Sequence, residues 1–191
     1  YMNKNEKKII IGIQGGKGSF NEEACLDYCE KNKIKNFEIK YLYTSNNVLR
    51  ALSKKKIDRG QFAIQNSIGG VVYETVDALS KYNCKILKEF EIIINHCLLV
   101  SRGTKIDEIK TIMSHPQALA QCKSTLLGKY SDKKLVSGKG NLVDQATAAK
   151  FLSLGKIPKS TAVLASSVCA KIYPNLEILA EGLQDRKDNY T

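Results

Sequence analysis

The run Ser-His-Pro-Gln-Ala-Leu-Ala-Gln-Cys, from Ser114 to Cys122, gathers hydrogen-bonding side chains where a predicted strand meets a predicted helix. Residues 109–113 are rich in β-branched side chains and predict the strand, and Pro116 favours the first helical turn. Free amides at a helix start attract anions, so the run predicts a site for an anionic group. His115 is better explained as a helix cap than as a general base.

A glycine-rich loop lies near the start of the chain, at Gly15-Gly16-Lys17-Gly18-Ser19. It differs from a Walker phosphate loop because Gly18 separates Lys17 from Ser19, and it lacks the third glycine of a dinucleotide fingerprint because Asn21 stands there. Two interpretations remain open. The loop either brings its backbone close to a ligand or is simply a tight strand–helix turn.

Asn66 and Ser67 follow the third predicted strand and precede Gly69-Gly70. The carboxyl edge of a parallel sheet is where α/β proteins bind ligands, so this pair is a second candidate position for binding. The alternative is an Asn/Ser turn that caps the next helix.

The elements that position these residues alternate between strand and helix along the whole chain, with an apolar crossover region at 86–100. Ser19 predicts the cap of the first helix, with Glu22 at the capping-box position, and Ser45 or Asn46 predicts the cap of the second. Two α/β lobes with a central cleft satisfy this pattern. The predicted strands cover 8–13, 37–43, 62–64, 109–113, a segment near Leu135, 162–164 and 176–180, and the predicted helices cover 20–32, segments around 48–52 and 76–79, a segment after Pro116, 143–152 and 166–172.

Composition excludes several classes of protein. The chain has 191 residues, 43% of them hydrophobic, and lacks the ~20-residue apolar run of a membrane span. Its first eight residues are too polar for a secretory signal, so we expect a cytoplasmic protein with no membrane partner. The net charge of +11 comes mainly from scattered lysines, and with 7% aromatic residues and no Trp we expect no nucleic-acid partner. A positive field would instead favour capture of a small anion.

Six cysteines are spread over the chain with no C-x-x-C pair, which disfavours a zinc site and a disulfide framework. We expect reduced thiols packed among apolar neighbours. The last ten residues, 182–191, are polar, and on composition alone they would be assigned as disordered.

Taken together, these motifs resemble the dehydratase domain of the prephenate and arogenate dehydratases, over nearly the whole chain and in the right order. The Ser114 to Cys122 run is the most specific. The other matching residues are Gln14-Gly15 to Ser19-Phe20, Asn66-Ser67 with Gly69-Gly70, Asp77, Leu79, His96-Cys97-Leu98, Ala148-Ala149, Thr161-Ala162, Tyr173, Gln184-Asp185, Asn189 and Thr191.

The resemblance implies an α/β fold of two subdomains, similar to type II periplasmic binding proteins, with the active site in the cleft. Subdomain 1 would span about 8–97 plus 165–191, and subdomain 2 about 98–164. The implied activity is that of a carbon–oxygen lyase in phenylalanine biosynthesis, acting without a metal or organic cofactor. It also implies a homo-oligomer, a dimer or a tetramer, and a domain without the regulatory phenylalanine-binding domain that commonly follows.

By position, Thr191 matches the threonine of the family's Thr-Arg-Phe motif, which is implied to donate a hydrogen bond or proton to the leaving hydroxyl. Polar substrate-binding positions match Asn66, Ser67, Ser114 and Gln121, and the loop from Gly15 to Ser19 would help to close the site.

Three features depart from the family's pattern. Gln65 stands where the family usually has Glu before the Asn-Ser pair, and it keeps hydrogen bonding without the carboxylate. Gln145-Ala146 stands where the family has Thr-Ala, and the sequence stops at Thr191, before the Arg and Phe. If Thr191 is the natural end, we expect poor catalysis.

The first hypothesis is a prephenate dehydratase that forms phenylpyruvate. The alternatives are an arogenate dehydratase, a non-catalytic module that binds a small carboxylate on the same fold, and an enzyme that decarboxylates prephenate but keeps its hydroxyl. The choice between prephenate and arogenate depends on whether the pocket accommodates a keto or an ammonium group.

Overall fold

The computed structural model describes residues 7–191. The prediction that the first eight residues are not a secretory signal therefore falls mainly outside the described range. The chain folds as two units. Unit 1 holds the described residues through Ile92 together with Tyr190 and Thr191, and unit 2 holds Ile93–Asn189.

Unit 1 is built on a parallel three-stranded sheet in the order β2-β1-β3. The chain then forms a short antiparallel hairpin, β4-β5, and a helix. Ile11, Ile13, Cys25 and Cys29 form the core between β1 and the first helix. The elements of unit 1 are β1 (Ile9–Ile13), α1 (Phe20–Lys31), β2 (Phe37–Tyr41), α2 (Ser45–Ser53), β3 (Arg59–Gln61), β4 (Gln65–Asn66), β5 (Gly70–Val71) and α3 (Tyr73–Lys81).

Unit 2 is built on a five-stranded mixed sheet in the order β10-β6-β9-β7-β8, with an apolar cluster on each face. Strands β6 and β9 are buried at every residue, because both faces of the sheet are covered. The elements of unit 2 are β6 (Cys97–Ser101), a 3-10 turn (Ile106–Glu108), β7 (Thr111–Ser114), α4 (Pro116–Gln121), α5 (Lys123–Lys129), β8 (Lys134–Ser137), a 3-10 turn (Gly140–Val143), α6 (Gln145–Ser153), β9 (Thr161–Ala165), α7 (Val168–Ile172) and β10 (Leu176–Ala180).

The two units repeat one topology. In unit 1 the first strand, β1, lies between the second and third, and in unit 2 the strand β7 lies in the same way between β8 and β9. In each unit the chain passes from the central strand to the neighbouring strand on one side, and then crosses over to the neighbouring strand on the other side. Such a reversal opens a crevice at the carboxyl ends of the strands, where α/β proteins bind ligands.

The subdomain boundaries of the structure differ from those expected. Residues 165–189 are expected in the first subdomain, but they lie in unit 2 because β10 pairs antiparallel with β6 at the edge of its sheet. The first unit also ends at Ile92, before the expected residue 97. Only Tyr190 and Thr191 from the final segment return to unit 1.

Several local predictions need correction. The third strand is Arg59–Gln61, not 62–64, because side chains satisfy the backbone of Ala63: its amide donates to Gln14 Oε1 and its carbonyl accepts from Thr75 Oγ1. Thr44, not Ser45 or Asn46, caps α2. In the apolar stretch 86–100, the regular strand begins only at Cys97.

Other predictions are confirmed or refined. Ser19 caps α1, but Glu22 reaches the amide of Gly18, one residue earlier than in a capping box. The helix after Pro116 divides into α4 and α5 at Cys122.

The six cysteines carry free thiols, and five of them are buried. Burial raises the pKa of Cys25 and that of Cys122 to about 12, as expected for packed thiols. Among the described residues, no helix is both long and apolar enough to span a bilayer.

Candidate functional site

The crevice of unit 1 lies where the loop after β1 meets the segment after β3. Gln14 joins the two, because its Oε1 accepts from the amide of Ala63 at 3.0 Å. The Gln14 Nε2 donates to Glu74 at 3.0 Å, and the Glu74 carboxylate also accepts from the amides of Ser45 and Asn46 at the start of α2. Gln14 therefore fixes the entry to the glycine loop.

The glycine loop itself is held in one conformation. Gly15 and Gly18 have φ values of 91° and 90°, a region that side chains rarely adopt, and a Cβ on Gly15 would lie 2.9 Å from Ser19 Oγ. The buried Glu22 carboxylate accepts from Gly18 N and from Tyr41 OH. These contacts support the interpretation as a tight strand–helix turn, and ligand binding by its backbone stays a prediction.

Thr191 lies against the segment Gln65–Ser67, so four of the predicted site residues form one cluster in unit 1. The Thr191 hydroxyl donates to the carbonyl of Gln65 at 3.1 Å and accepts from Asn66 Nδ2 at 3.4 Å. Ser67 N donates to the carbonyl of Tyr190, and Tyr190 N donates to Ser67 Oγ, each at 2.9 Å. Asn66 and Ser67 thus bind the backbone of Tyr190, and Gln65 and Asn66 orient the threonine hydroxyl.

Both the oxygen and the nitrogen of the Asn66 side-chain amide form hydrogen bonds. Its Oδ1 accepts from the amides of Ile68 and Gly69 and closes an Asn turn, while its Nδ2 donates to the carbonyl of Tyr190 and to Thr191 Oγ1. The turn predicted for this pair is therefore present. It does not cap the next helix, because α3 begins after Val72, which gives no side-chain cap.

In unit 2, Ser114 ends β7 at the corresponding crevice, but its side chain is buried. Its hydroxyl donates to the carbonyl of Leu164 at 3.1 Å and accepts from Gln145 Nε2 at 3.0 Å. Gln145 Nε2 also donates to that carbonyl at 3.0 Å. Ser114 therefore holds Gln145 in place, and Gln145 is a polar residue of the crevice that the sequence showed only as a departure from the family.

Gln121 belongs to a second polar network of unit 2. Its Oε1 lies 2.9 Å from His96 Nε2 and accepts from Asn189 Nδ2 at 3.1 Å. His96 and Asn189 are buried, and burial lowers the pKa of His96, although the hydrogen bond with Gln121 acts in the opposite direction. His115 is a helix cap, as predicted, since its Nδ1 accepts from Gln117 N.

The final segment is ordered by its contacts, contrary to the assignment from composition. Leu183 is buried, and Gln184 accepts from the amide of His96. The Asp185 carboxylate accepts from the amides of Ser124 and Thr125 at the start of α5. Burial opposes ionisation there, but these hydrogen bonds lower the pKa of Asp185 overall.

The predicted residues thus fall into separate groups. Gln65, Asn66, Ser67 and Thr191 lie together, whereas Gly15 and Ser19 lie at the carboxyl end of β1 in the same unit. Ser114 and Gln121 lie in unit 2, in two networks. Within residues 7–191 no group of three or more His, Cys, Asp or Glu side chains is arranged to hold a metal ion.

Known proteins are similar to this chain in sequence and in fold. The family model described as prephenate dehydratase matches residues 11–191. The chain is 33% identical over 190 residues to "Arogenate dehydratase/prephenate dehydratase 2, chloroplastic" of Arabidopsis thaliana, covering 98% of this chain and 46% of that protein. It is also 33% identical over 196 residues to "Bifunctional chorismate mutase/prephenate dehydratase" of Buchnera aphidicola, covering 100% of this chain and 48% of that protein. The chain thus spans about half the length of these relatives.

A solved structure of prephenate dehydratase from Arthrobacter aurescens, in complex with L-Phe, superposes with a TM-score of 0.81 at 24% identity, covering 95% of this chain and 58% of that one. The fold is the periplasmic-binding-protein-like α/β fold of the prephenate dehydratases, as expected from the resemblance. With the match over residues 11–191, the chain belongs to the prephenate dehydratase family.

Proposed function

We propose that this chain catalyses the decarboxylating dehydration of prephenate to phenylpyruvate and the equivalent conversion of arogenate to phenylalanine. The ring carboxylate leaves as carbon dioxide, and its bonding electron pair enters the ring as the ring hydroxyl departs. Formation of the aromatic ring drives the step, so the protein has to hold the substrate and assist the leaving group. The hydroxide takes a proton and becomes water.

The position of the Thr191 hydroxyl is the observation that carries this proposal. Asn66 Nδ2 donates to its oxygen, and the hydroxyl proton is directed at the carbonyl of Gln65. When substrate binds, a small rotation would redirect this proton to the leaving hydroxyl while Asn66 continues to donate. A donor placed behind the oxygen makes the threonine a better hydrogen-bond acid.

The neutral character of the cluster supports the same role. Gln65, Asn66, Ser67 and Thr191 offer amide and hydroxyl groups, which can hydrogen-bond a dianion without adding negative charge. Gln65 keeps the geometry of the family's glutamate but not its charge, and its carbonyl, not its side chain, accepts from Thr191. The interaction with Thr191 is therefore compatible with this substitution.

The test replaces the Thr191 hydroxyl while keeping the side-chain shape. In protein extended through any natural residues that follow Thr191, we expect Thr191→Val to lower kcat roughly 100-fold or more, the usual effect of losing a general acid, and Thr191→Ser to keep most of it. Phenylpyruvate from prephenate and phenylalanine from arogenate are the products to measure.

Two outcomes would contradict the proposal. One is an unchanged kcat in Thr191→Val, which would exclude the threonine as the acid. The other is no turnover of either substrate by the extended wild-type protein. If calorimetry then shows binding of the same carboxylates, the chain is a binding module on the dehydratase fold.

A further inference from the structure

The amino edge of the unit 1 sheet carries an open pocket that is separate from the candidate site. It lies between the start of β1 and the turn that joins α1 to β2, where the amide of Ile9 donates to the carbonyl of Asn36 at 3.0 Å. Strand β1 has five residues and is therefore roughly 16 Å long, so the pocket and the glycine loop lie at opposite ends of this strand. The pocket has a volume of about 270 Å³ and is lined by Lys7, Ile9, Lys33, Ile34, Lys35 and Asn36.

Three lysines give this pocket a concentrated positive charge. Lys7, Lys33 and Lys35 are exposed and line it, and within the described part of the chain no acidic side chain lines it. The Lys7 ammonium lies 3.4 Å from the Asp58 carboxylate, whereas Lys33 and Lys35 form no ion pair within residues 7–191. At least two cationic groups of the pocket are therefore available to an anion.

The backbone beneath the lysines is held by the core of unit 1. Ile9 and Ile34 are partly buried and pack against the apolar cluster between β1 and α1. The amide of Ile34 also donates to the carbonyl of Cys29 at 2.8 Å, at the end of α1. Lys33 and Lys35 flank Ile34 in the sequence, so this anchored isoleucine fixes the backbone from which both ammonium groups extend.

Lys33 has a left-handed backbone conformation, with a φ of 55°. Glycine adopts this conformation without strain, whereas a residue with a Cβ adopts it at a cost in stability. Strained residues of this kind cluster at ligand-binding positions, where the role of the side chain offsets the strain. Lys55 has the same conformation, with a φ of 54°, but it does not line the pocket. The two lysines therefore allow the effect of strain to be separated from that of the pocket.

We propose that this pocket binds a small molecule that carries two or more linked phosphate groups. Lysine ammonium groups are common ligands of phosphate, and a chain of phosphates can reach several of them at once. Ile9 and Ile34 offer an apolar surface to an organic part of the ligand, such as the base or the sugar of a nucleotide.

The size and composition of the pocket favour a small molecule over a nucleic-acid strand. Its volume of about 270 Å³ is close to the lower limit of small-molecule sites, roughly 300 Å³. Within the described chain no aromatic side chain lines it, so it lacks the platform on which successive bases of a strand would stack.

Calorimetry on the 191-residue chain, in about 0.1 M NaCl and without Mg²⁺, tests the proposal with tripolyphosphate, ATP and adenosine. We expect tripolyphosphate and ATP to bind with millimolar or tighter affinity, and adenosine not to bind, because the phosphates carry the recognition. Equal affinities of the first two ligands would support recognition of the phosphate chain alone. Tighter binding of ATP would support an additional contact with its base or sugar.

Three variants locate the binding. Lys33→Gly removes one ammonium group together with the strain, and we expect it to weaken binding of both phosphate ligands roughly fivefold, the effect of one charged hydrogen bond at an exposed site. Lys33→Arg keeps the charge and should restore the affinity. Lys55→Gly is the matched control, because it makes the same chemical change at the same φ outside the pocket, and it should leave binding unchanged. Since both glycine variants relieve strain, loss of folding would not explain a loss of binding.

Three results would overturn the proposal. The first is no heat of binding with either phosphate ligand at about 10 mM. The second is equal weakening in Lys33→Gly and Lys55→Gly, which would assign the binding to the diffuse positive charge of the chain. The third is binding of adenosine as tightly as ATP. None of these measurements depends on turnover of prephenate or arogenate, so the dehydratase proposal is tested separately.

Discussion

His96 is a histidine that folding removes from water, and this gives the stability of the protein a defined pH dependence. Burial lowers its pKa below the ordinary value of 6.5, with the hydrogen bond to Gln121 opposing the shift. Between the lowered pKa and 6.5, the unfolded chain therefore binds more protons at this position than the folded chain does. The contribution of His96 to stability is present above pH 6.5 and is lost as the pH falls toward the lowered pKa.

We expect His96→Gln to remove this part of the pH dependence. Glutamine can place an amide N–H near the position of Nε2, so the donor to Gln121 is kept while the titrating group is lost. Urea unfolding of both proteins between pH 5 and pH 7.5 measures the effect. If the free energy of unfolding changes with pH equally in wild type and His96→Gln, His96 is not the source of this pH dependence.

At the scale of elements, three helices end in the same hydrogen-bonded turn but with different residues at its left-handed position. This residue is Lys33 after α1 (φ 55°), Lys55 after α2 (φ 54°) and Gly155 after α6 (φ 69°). In each case the amide two residues past the cap bonds the carbonyl five residues earlier, at 2.8 to 2.9 Å. This is the Schellman motif, in which glycine is favoured because its backbone is not strained.

We expect Lys33→Gly and Lys55→Gly each to stabilise the protein by about 0.5–1 kcal/mol, because removing the Cβ relieves the left-handed strain by more than the added freedom of the unfolded chain offsets. Lys54→Gly is the matched control, because Lys54 has a φ of −86° and gains nothing from glycine. The free energy of unfolding from urea titration is the measurement. Equal effects at Lys54 and Lys55 would show that backbone strain is not the cause.

The elements were predictable where local patterning decides them. Strands β1, β8, β9 and β10 and the Ser19 cap follow from apolar runs and capping chemistry close in sequence. The errors arose where a distant group decides the structure. Ala63 lies outside strand β3 because its backbone is hydrogen-bonded by the side chains of Gln14 and Thr75. The sequence shows neither contact.

The same limit applies to the candidate site. The residues that bear polar groups were identified by type, but their partners were not, because hydrogen bonds such as Asn66 to Thr191 join positions 125 apart. Composition predicts disorder for residues 182–191, because it carries no information about the start of α5, whose amides donate to the Asp185 carboxylate. Gln145 was visible only as a departure from the family's threonine.

At the scale of the whole molecule, the net charge of +11 acts on any anionic substrate before it reaches the site. We expect kcat/KM for prephenate to fall several-fold between low salt and about 0.5 M NaCl, while kcat changes little, because screening affects capture and not the bound complex. Steady-state kinetics at increasing NaCl, with an uncharged osmolyte as the control, test this expectation. An equal loss of kcat would indicate an effect on the protein instead of on capture.

Unit 2 is an insertion within unit 1, entered after Ile92 and left before Tyr190. The backbone of Ile92 pairs with that of Thr191 on one side of this junction, and the amide of Ile94 bonds the carbonyl of Asn189 on the other. In each unit, therefore, the two chain segments that meet at the junction are hydrogen-bonded to each other. Because each of these hydrogen-bonded closures lies within a single unit, we expect a chimera that exchanges residues 93–189 between relatives to fold, with Thr191 and its partners Gln65 and Asn66 staying in the host unit.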